Sequence, residues 1–391
     1  MSEKKKTPAL RFDGFTDDWE QRKLNEICDL ITVGIANSAT HAYRENGITM
    51  FRNQNIKENQ LDENDLIYID YEFEKKYVAK RLKANDIIVA RTGYPGTACV
   101  IPEKYEGAQT FTTLIVRLKN DNNSFYVCQY LNSEIGKKYF ASTQIGGGQK
   151  NSGAGILKEF SLFLPQKLEE QEKISNLMRS IDDLITLHQR KCDKLKNLKK
   201  SCLEKMFPKN GETLPEVRFE GFTDDWEQRK LSEVVSIYDG VHQTPDYKDR
   251  GVMFLSVENI ATLKSEKYIS EEAFEKDYRY YPQRGDILMT RIGDVGTTNV
   301  VESDEKMAYY VSLALLKPKK DDPYFLSNSM KTNFFQLGLK TRTLLTAIPQ
   351  KINKDEIGKV DIFIAQNKEE QELVGKYFNE IDNLITLHQR R

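Results

Sequence analysis

Arg52-Asn53-Gln54-Asn55 sets a guanidinium and three side-chain amides in a row. These groups pair in a bidentate manner with base edges, arginine with guanine and amides with adenine. Gln149, Lys150 and Asn151 follow three consecutive glycines, where bare backbone and an ammonium can approach phosphates. His242, Gln243, Lys248, Arg291, Lys340, Arg342 and Lys351 form a comparable set later in the chain. An Arg-x-Gly-x-x-Gly-Thr segment occurs twice, at residues 91–97 and 291–297, with Tyr94 inside the first. As a tight turn it could hold Arg91 or Arg291 out toward DNA, or be a structural turn and nothing more; both readings stay open. For any one of these side chains solvated surface is the default. As a set they are suited to DNA binding.

Bond-making chemistry finds no comparable set. Walker A, His-Glu-x-x-His and Gly-x-Ser-x-Gly patterns are absent. The two glycine turns are followed by β-type residues, where a dinucleotide fingerprint would open a helix. Asp321-Asp322-Pro323-Tyr324 resembles part of the catalytic tetrapeptide of amino-methyltransferases. Its companion, a glycine-rich cofactor loop after a first strand, is missing, so coincidence is the better reading. Pro245-Asp246 lacks a convincing downstream Glu-x-Lys for a nuclease centre. His188 and His388 are lone histidines at the same phase of their repeats and read as structural. The cysteines at 28, 99, 128, 192 and 202 include no Cys-x-x-Cys pair and read as reduced thiols. The expectation is a non-catalytic chain with no metal and no cofactor of its own.

Length and composition set the scale. The 391 residues, 39% hydrophobic and 30% charged, can bury the cores of two or three domains. A net charge of −1 withholds the basic excess usual in a stand-alone DNA binder, so affinity must come from local patches or from partner subunits. The first residues are charged without an apolar stretch behind them and no run approaches a membrane span, which places the chain in the cytoplasm with no membrane role.

What must position the candidate side chains is a repeat. Residues 171–191 return as 371–391, with Leu-Ile-Thr-Leu-His-Gln-Arg carried over letter for letter. Residues 11–27 return as 218–234, at an offset of 207 instead of 200. The chain is thus a tandem duplication whose units begin and end alike and differ in the middle. Such fixed borders suit a modular reader with a constant frame and exchangeable specificity. Ile174, Leu177, Ile181, Leu184, Leu195 and Leu198 step by threes and fours with no proline or glycine between Glu169 and Phe207. They predict a long amphipathic helix with a coiled-coil-like seam, roughly 55 Å long. Val374, Phe378, Ile381 and Leu384 keep the stripe in the second copy. Each stripe needs a partner, and the other copy is the obvious one; antiparallel pairing would add an approximate twofold axis. Two ordinary core helices are the rival reading.

The expected fold is α+β: two similar mixed α/β domains separated by long helices that pair as an antiparallel coiled coil in a pseudo-twofold tandem repeat. Residues 1–10 are a basic, flexible leader, 11–165 the first domain, 166–207 the first long helix and 208–217 a linker. Residues 218–365 are the second domain and 366–391 the second helix. The first interior reads as strands near 47–51, 86–91, 98–102 and 112–118, a helix over 125–140, and an exit strand over 160–164. The second repeats this plan, with a helix over 322–339, a loop over 340–351 and an exit strand over 360–365.

Two reading units, each followed by a long helix, resemble the specificity subunit of type I restriction-modification enzymes. The resemblance covers nearly the whole chain. It rests on the duplicated segments 14–24 and 221–231, the duplicated Asp-Ile-x-x-x-Arg-x-Gly, and the Glu-Gln starts Glu170-Gln171 and Glu370-Gln371. It implies that each unit reads one half of a split double-stranded DNA sequence while the helices separate the readers and dock two modification subunits. Those partners would carry S-adenosylmethionine and methylate adenine. Restriction subunits would bring ATP, Mg and DNA cleavage. One departure from the pattern is that the first helix runs on to Phe207 whereas the second stops at Arg391, through truncation or a shorter natural helix. The rivals are a protein-binding coiled-coil scaffold without base readout and a self-contained methyltransferase.

Overall fold

The computed structural model describes residues 7–143 and 153–389. They cluster as two compact units, Met1–Ile185 and Thr186–Arg391. The main strands of the first are β1 (Glu20–Lys23), β2 (Cys28–Val33), β3 (Tyr43–Arg44), β4 (Ile48–Phe51), β5 (Ile67–Ile69), β6 (Ile87–Val89), β7 (Ala98–Val100), β8 (Gln109–Thr110), β9 (Leu114–Leu118) and β10 (Ser161–Leu164). Its main helices are α1 (Ser124–Asn132), α2 (Glu134–Ser142), α3 (Ala154–Lys158) and the first part of α4 (Leu168–Lys205).

One antiparallel sheet has the order β2-β9-β6-β7, and a second has the order β8-β4-β5-β3 with β8 and β4 parallel. Ile87 and Val89 share a core with Val127, Leu131 and Phe140 of the helices, while Ile88 between them shares one with Phe51 and Ile115. Both faces of β6 are therefore covered, which is why it reads as an unbroken apolar run.

The second unit repeats the plan with β11 (Glu227–Lys230), β12 (Val235–Asp239), β13 (Val252–Leu255), β14 (Tyr268–Ile269), β15 (Ile287–Thr290), β16 (Thr298–Val300), β17 (Met307–Tyr309), β18 (Leu313–Pro318) and β19 (Asp361–Ile364). Its helices are α5 (Glu271–Asp277), α6 (Pro323–Met330), α7 (Asn333–Arg342), α8 (Lys354–Gly358) and α9 (Lys368–Gln389). The sheets run β12-β18-β15-β16 and β14-β13-β17. Ile287 and Met289 pack toward Phe325, Phe335 and Phe378, and Leu288 toward Phe254 and Leu315.

The duplicated borders are joined to each other within each unit. β1 pairs antiparallel with β10, and β11 with β19 in the matching register. Arg11 then reaches Glu170 at the start of α4 with a two-pronged ion pair of 2.7 and 2.8 Å. Arg218 does the same to Glu370 at 2.6 and 2.9 Å. Both carboxylates are buried. The neighbouring amides complete the latch. Gln171 accepts from the Asn123 backbone and donates to the Pro165 carbonyl; Gln371 accepts from the Asp322 backbone and donates to the Ala365 carbonyl and to Asp321. Each Glu-Gln start therefore ties the long helix at once to the opening segment, the exit strand and the helix N-terminus of its unit.

Each single helix predicted in the interiors is broken in two. Ser133 leaves helical geometry with ψ 167 and caps α2 through the Gly136 amide. Thr332, with ψ 153, caps α7 through the Phe335 amide. Buried anchors hold the first halves in place. The Asn132 amide exchanges two hydrogen bonds with the Ala98 backbone, and in the second unit Thr298 bonds Ser327. A continuous helix could not satisfy these anchors and also lay its second half on the exit strand.

Within the second unit, residues 188–207 run antiparallel to α9. His188 meets His388 at 2.8 Å between Nδ1 atoms, Lys199 bonds Asp382, Cys202 contacts Tyr377, and Phe207 packs on Phe378. Val374, Phe378 and Ile381 are buried as expected, but Leu177, Ile181, Leu184 and Leu198 of the first copy stay exposed, at 47%, 42%, 55% and 46%, and so does Leu384 of the second, at 45%. Within the paired stretch the contact therefore runs through His188, Lys199, Cys202 and Phe207 and not through the predicted leucine stripe. Among the described residues no helix is long and apolar enough to cross a membrane.

Breaking the latch on one side tests its energetic role. Arg218→Ala leaves the Glu370 carboxylate buried without its cation and should cost on the order of 3 kcal/mol. Adding Glu370→Gln should restore part of that loss in a chemical denaturation series; equal stability of wild type and Arg218→Ala would refute the role.

Candidate nucleic-acid interface

In the first unit the polar run 52–55 lies after β4. Asn55 is buried and wholly engaged: its Oδ1 accepts from the Arg52 amide, and its Nδ2 donates to the Asp62 and Asn64 carbonyls at 3.1 and 2.9 Å. Asn259 makes the equivalent bonds to the Ser256 amide and the Lys264 carbonyl. This asparagine is a loop brace in both units, so Asn55 leaves the base-reading set. Asn53 is a brace as well. Its Oδ1 accepts from the Arg91 amide at 2.8 Å and its Nδ2 donates to Thr112 at 3.3 Å. The Arg52 guanidinium donates to the Asp65 carbonyl. Gln54 remains exposed between these braced neighbours.

The two Gly-x-x-Gly turns are structural. Gly93 and Gly96 have φ of 78° and 95°, Gly293 and Gly296 of 83° and 103°, values that favour glycine strongly. A Cβ on Gly96 would lie 2.2 Å from the Phe140 ring, and one on Gly296 2.6 Å from Leu339. The arginines then part company. Arg291 is buried, its Nη1 held by Asp239 and its Nε donating to the Ile352 carbonyl at 3.1 Å. It cannot reach a base and leaves the set. Arg91 is half-buried, and Tyr94 stands at the turn's tip, 84% exposed.

Arg291 nevertheless organises the site, because it gathers three segments at one end of the sheet. Asp239 ends β12, directly before Gly240, Val241, His242 and Gln243. Gly293 in the turn exchanges two hydrogen bonds with Gln350 in the 340–351 loop. The Ile352 amide returns to the Arg291 carbonyl. His242, Gln243, Lys340 and Lys351 are exposed around this junction. Arg342 is half-exposed and bonded to Glu356 at 3.2 Å. Lys248 pairs with Asp246, and its backbone joins Tyr268 at the edge of the smaller sheet. Gln149, Lys150 and Asn151 lie outside the described residues.

Sequence reasoning missed two features. Gly34 and Gly240 follow the first interior strand in each unit, and a Cβ there would strike the backbone of Thr110 at 2.2 Å or Tyr309 at 2.5 Å. Their matching positions were the available signal. The other is the apolar part of the 340–351 loop, which was passed over for its cations.

The methyltransferase-like tetrapeptide is a helix cap. Asp322 caps α6 through the Phe325 amide at 2.7 Å, Asp321 accepts from Gln371, and Tyr324 donates to Glu302. Asn123 caps α1 at the corresponding place. Burial pushes the Asp322 carboxyl above its ordinary pKa, while the amides it caps oppose this. Among the described residues no group of three or more His, Cys, Asp or Glu could hold a metal ion.

Comparison with known proteins gives a consistent answer. A family model described as the type I restriction modification DNA specificity domain matches twice, over residues 16–197 and 223–391. A relative from Methanocaldococcus jannaschii, described as the specificity subunit of the type I restriction enzyme MjaX, is 23% identical over 407 residues, covering 96% of this chain and 89% of its own. The crystal structure of the type I restriction-modification S subunit from M. genitalium matches with a TM-score of 0.63 at 13% identity, over 98% of this chain and 94% of that one. A chain from a structural study of complex assembly in a type I restriction-modification system matches with a TM-score of 0.51 at 19% identity, over the same shares. At these identities the structural likenesses show the fold.

Two substitutions separate bracing from contact. Arg291→Met orphans Asp239 and the Ile352 carbonyl and should lower stability by about 2 kcal/mol. Lys351→Ala should leave the melting temperature nearly unchanged while reducing the slope of log affinity for duplex DNA against log salt by about one. Loss of fold in the second variant, or none in the first, would reverse the assignments.

Proposed function

The chain belongs to the type I restriction-modification DNA specificity family, and on that premise we propose that its two units each read one half of a split duplex sequence. It is a specificity subunit, without catalysis of its own. The observation that carries the proposal is the pairing of repeated borders with divergent exposed ends. The latch residues repeat between the units, while the loops at the free end of each sheet differ in length and type.

Gln54 and Tyr94 in the first unit, and His242, Gln243, Lys340 and Lys351 in the second, are the proposed DNA contacts. Arg52, Asn53 and Arg91 support them from below, Arg342 and Lys248 contribute cations at the margins, and Gln149, Lys150 and Asn151 are proposed for phosphates. The proposed division is residues 11–165 and 218–365 for the readers, and 166–207 and 366–391 for the helices.

Two modification subunits are proposed to dock on the helices, where Leu177, Ile181, Leu184 and Leu187 offer an exposed apolar stripe on α4. Those subunits would supply S-adenosylmethionine and adenine methylation, and restriction subunits the ATP-driven steps, in the cytoplasm. A net charge of −1 fits a reader whose partners help enclose the duplex.

Exchange of residues 28–165 for those of another family member tests the reading. Methylation mapping in cells carrying the complete system should show one half-site replaced and the other retained. Replacement of both, or of neither, would contradict it.

A further inference from the structure

Resting on the proposal that the second unit contacts duplex DNA, we propose that Leu345 and Ile348 form an apolar tip that reads thymine through its 5-methyl group in the major groove. Ile348 is 101% exposed, Leu345 57% and Leu344 46%. Three large aliphatic side chains within five residues are left in water, and apolar surface gathered on one loop marks a contact site.

The tip is held firmly from behind. The Leu344 amide donates to the Lys351 carbonyl at 2.8 Å, in an isolated antiparallel bridge across the base of the loop. Gln350 is fixed twice to Gly293, and Ile352 twice to Arg291, itself held by Asp239. A loop fixed in this way can insert without first being ordered.

Its surroundings select the occupant. Lys340 and Lys351 flank the tip, and neither ammonium has an ion-pair partner among the described residues. Asp294 accepts from the Thr297 hydroxyl and Glu356 is held by Arg342 and Lys359, which leaves Asp355 as the exposed carboxylate closest in sequence to Lys351. An apolar tip between free cations suits a groove walled by phosphates. The major groove, about 12 Å wide, has room for a loop carrying two large aliphatic side chains, whereas the minor groove is only about 6 Å wide. The apolar feature inside the major groove is the thymine methyl, which aliphatic side chains contact.

The test uses the full chain assembled with its modification subunits and duplexes carrying its mapped target. In the half-site assigned to the second unit, thymines are replaced singly by uracil, which removes the methyl and keeps base pairing. At least one replacement should weaken wild-type binding about fourfold, the effect of burying one methyl at about 0.8 kcal/mol. The Leu345→Ala/Ile348→Ala complex, with an unchanged melting temperature, should no longer distinguish that duplex from its parent. Wild-type indifference to every uracil duplex, with sequence-specific binding intact, overturns the inference and leaves the proposed function standing. Failure of the wild-type complex to bind any duplex specifically removes both. A variant complex that sheds its modification subunits while the uracil effect persists identifies the tip as a protein contact and equally overturns the inference.

Discussion

The buried fork between Arg11 and Glu170, repeated as Arg218 and Glu370, is the interaction on which the architecture depends. A carboxylate taken out of water at the first turn of a helix is stable only with a well-placed cation and filled hydrogen bonds. The helix N-terminus favours the negative charge as well. The cation comes from the segment that opens each unit, more than 150 residues earlier in the first pair. Chain start and rod start are thereby held together, whatever sequence lies between them. The adjacent glutamine extends the hold to the reader's own helix cap.

That constraint accounts for the distribution of repetition. Residues in the latch cannot change singly without leaving a buried charge or a buried amide unsatisfied, so both copies keep them. The interiors need only preserve a sheet covered on both faces and the caps at Asn123 and Asp322. Their outer loops are free to vary in length and charge. The same separation explains why polar residues suited by type to base edges are partly consumed inside. Asn53, Asn55 and Arg291 brace the platform, and the proposed contacts are the side chains it leaves exposed: Gln54, Tyr94, His242, Gln243 and those of the 340–351 loop.

The frame was readable from sequence because it rests on periodicity and repetition. Val374, Phe378 and Ile381 announced a buried face, and runs such as 287–289 announced strands covered twice. The breaks at Ser133 and Thr332 were hidden, since either residue can sit inside a helix or cap one, and the apolar spacing continues across the break. The fate of the arginines was hidden too. Arg91 and Arg291 occupy identical motifs, and only the presence of Asp239, distant in sequence, draws the second into the interior. Leu345 and Ile348 could not be recognised from type alone, because aliphatic residues default to the core. The exposure of Leu177, Leu184, Leu198 and Leu384 was equally invisible, since an apolar stripe predicts that a partner is needed and not which side chains meet it.

The central claim is that each reader is fixed to its own rod and that the rod sets the spacing of what is read. Inserting one heptad into α4 after Ile185 leaves the latch and the 188–207 pairing with α9 untouched while lengthening the helix by about 10 Å. Methylation mapping of the complete system carrying this insertion should show both half-sites unchanged and the unread gap longer, by about three base pairs at ~3.4 Å each. An unchanged gap with altered half-sites would contradict the account.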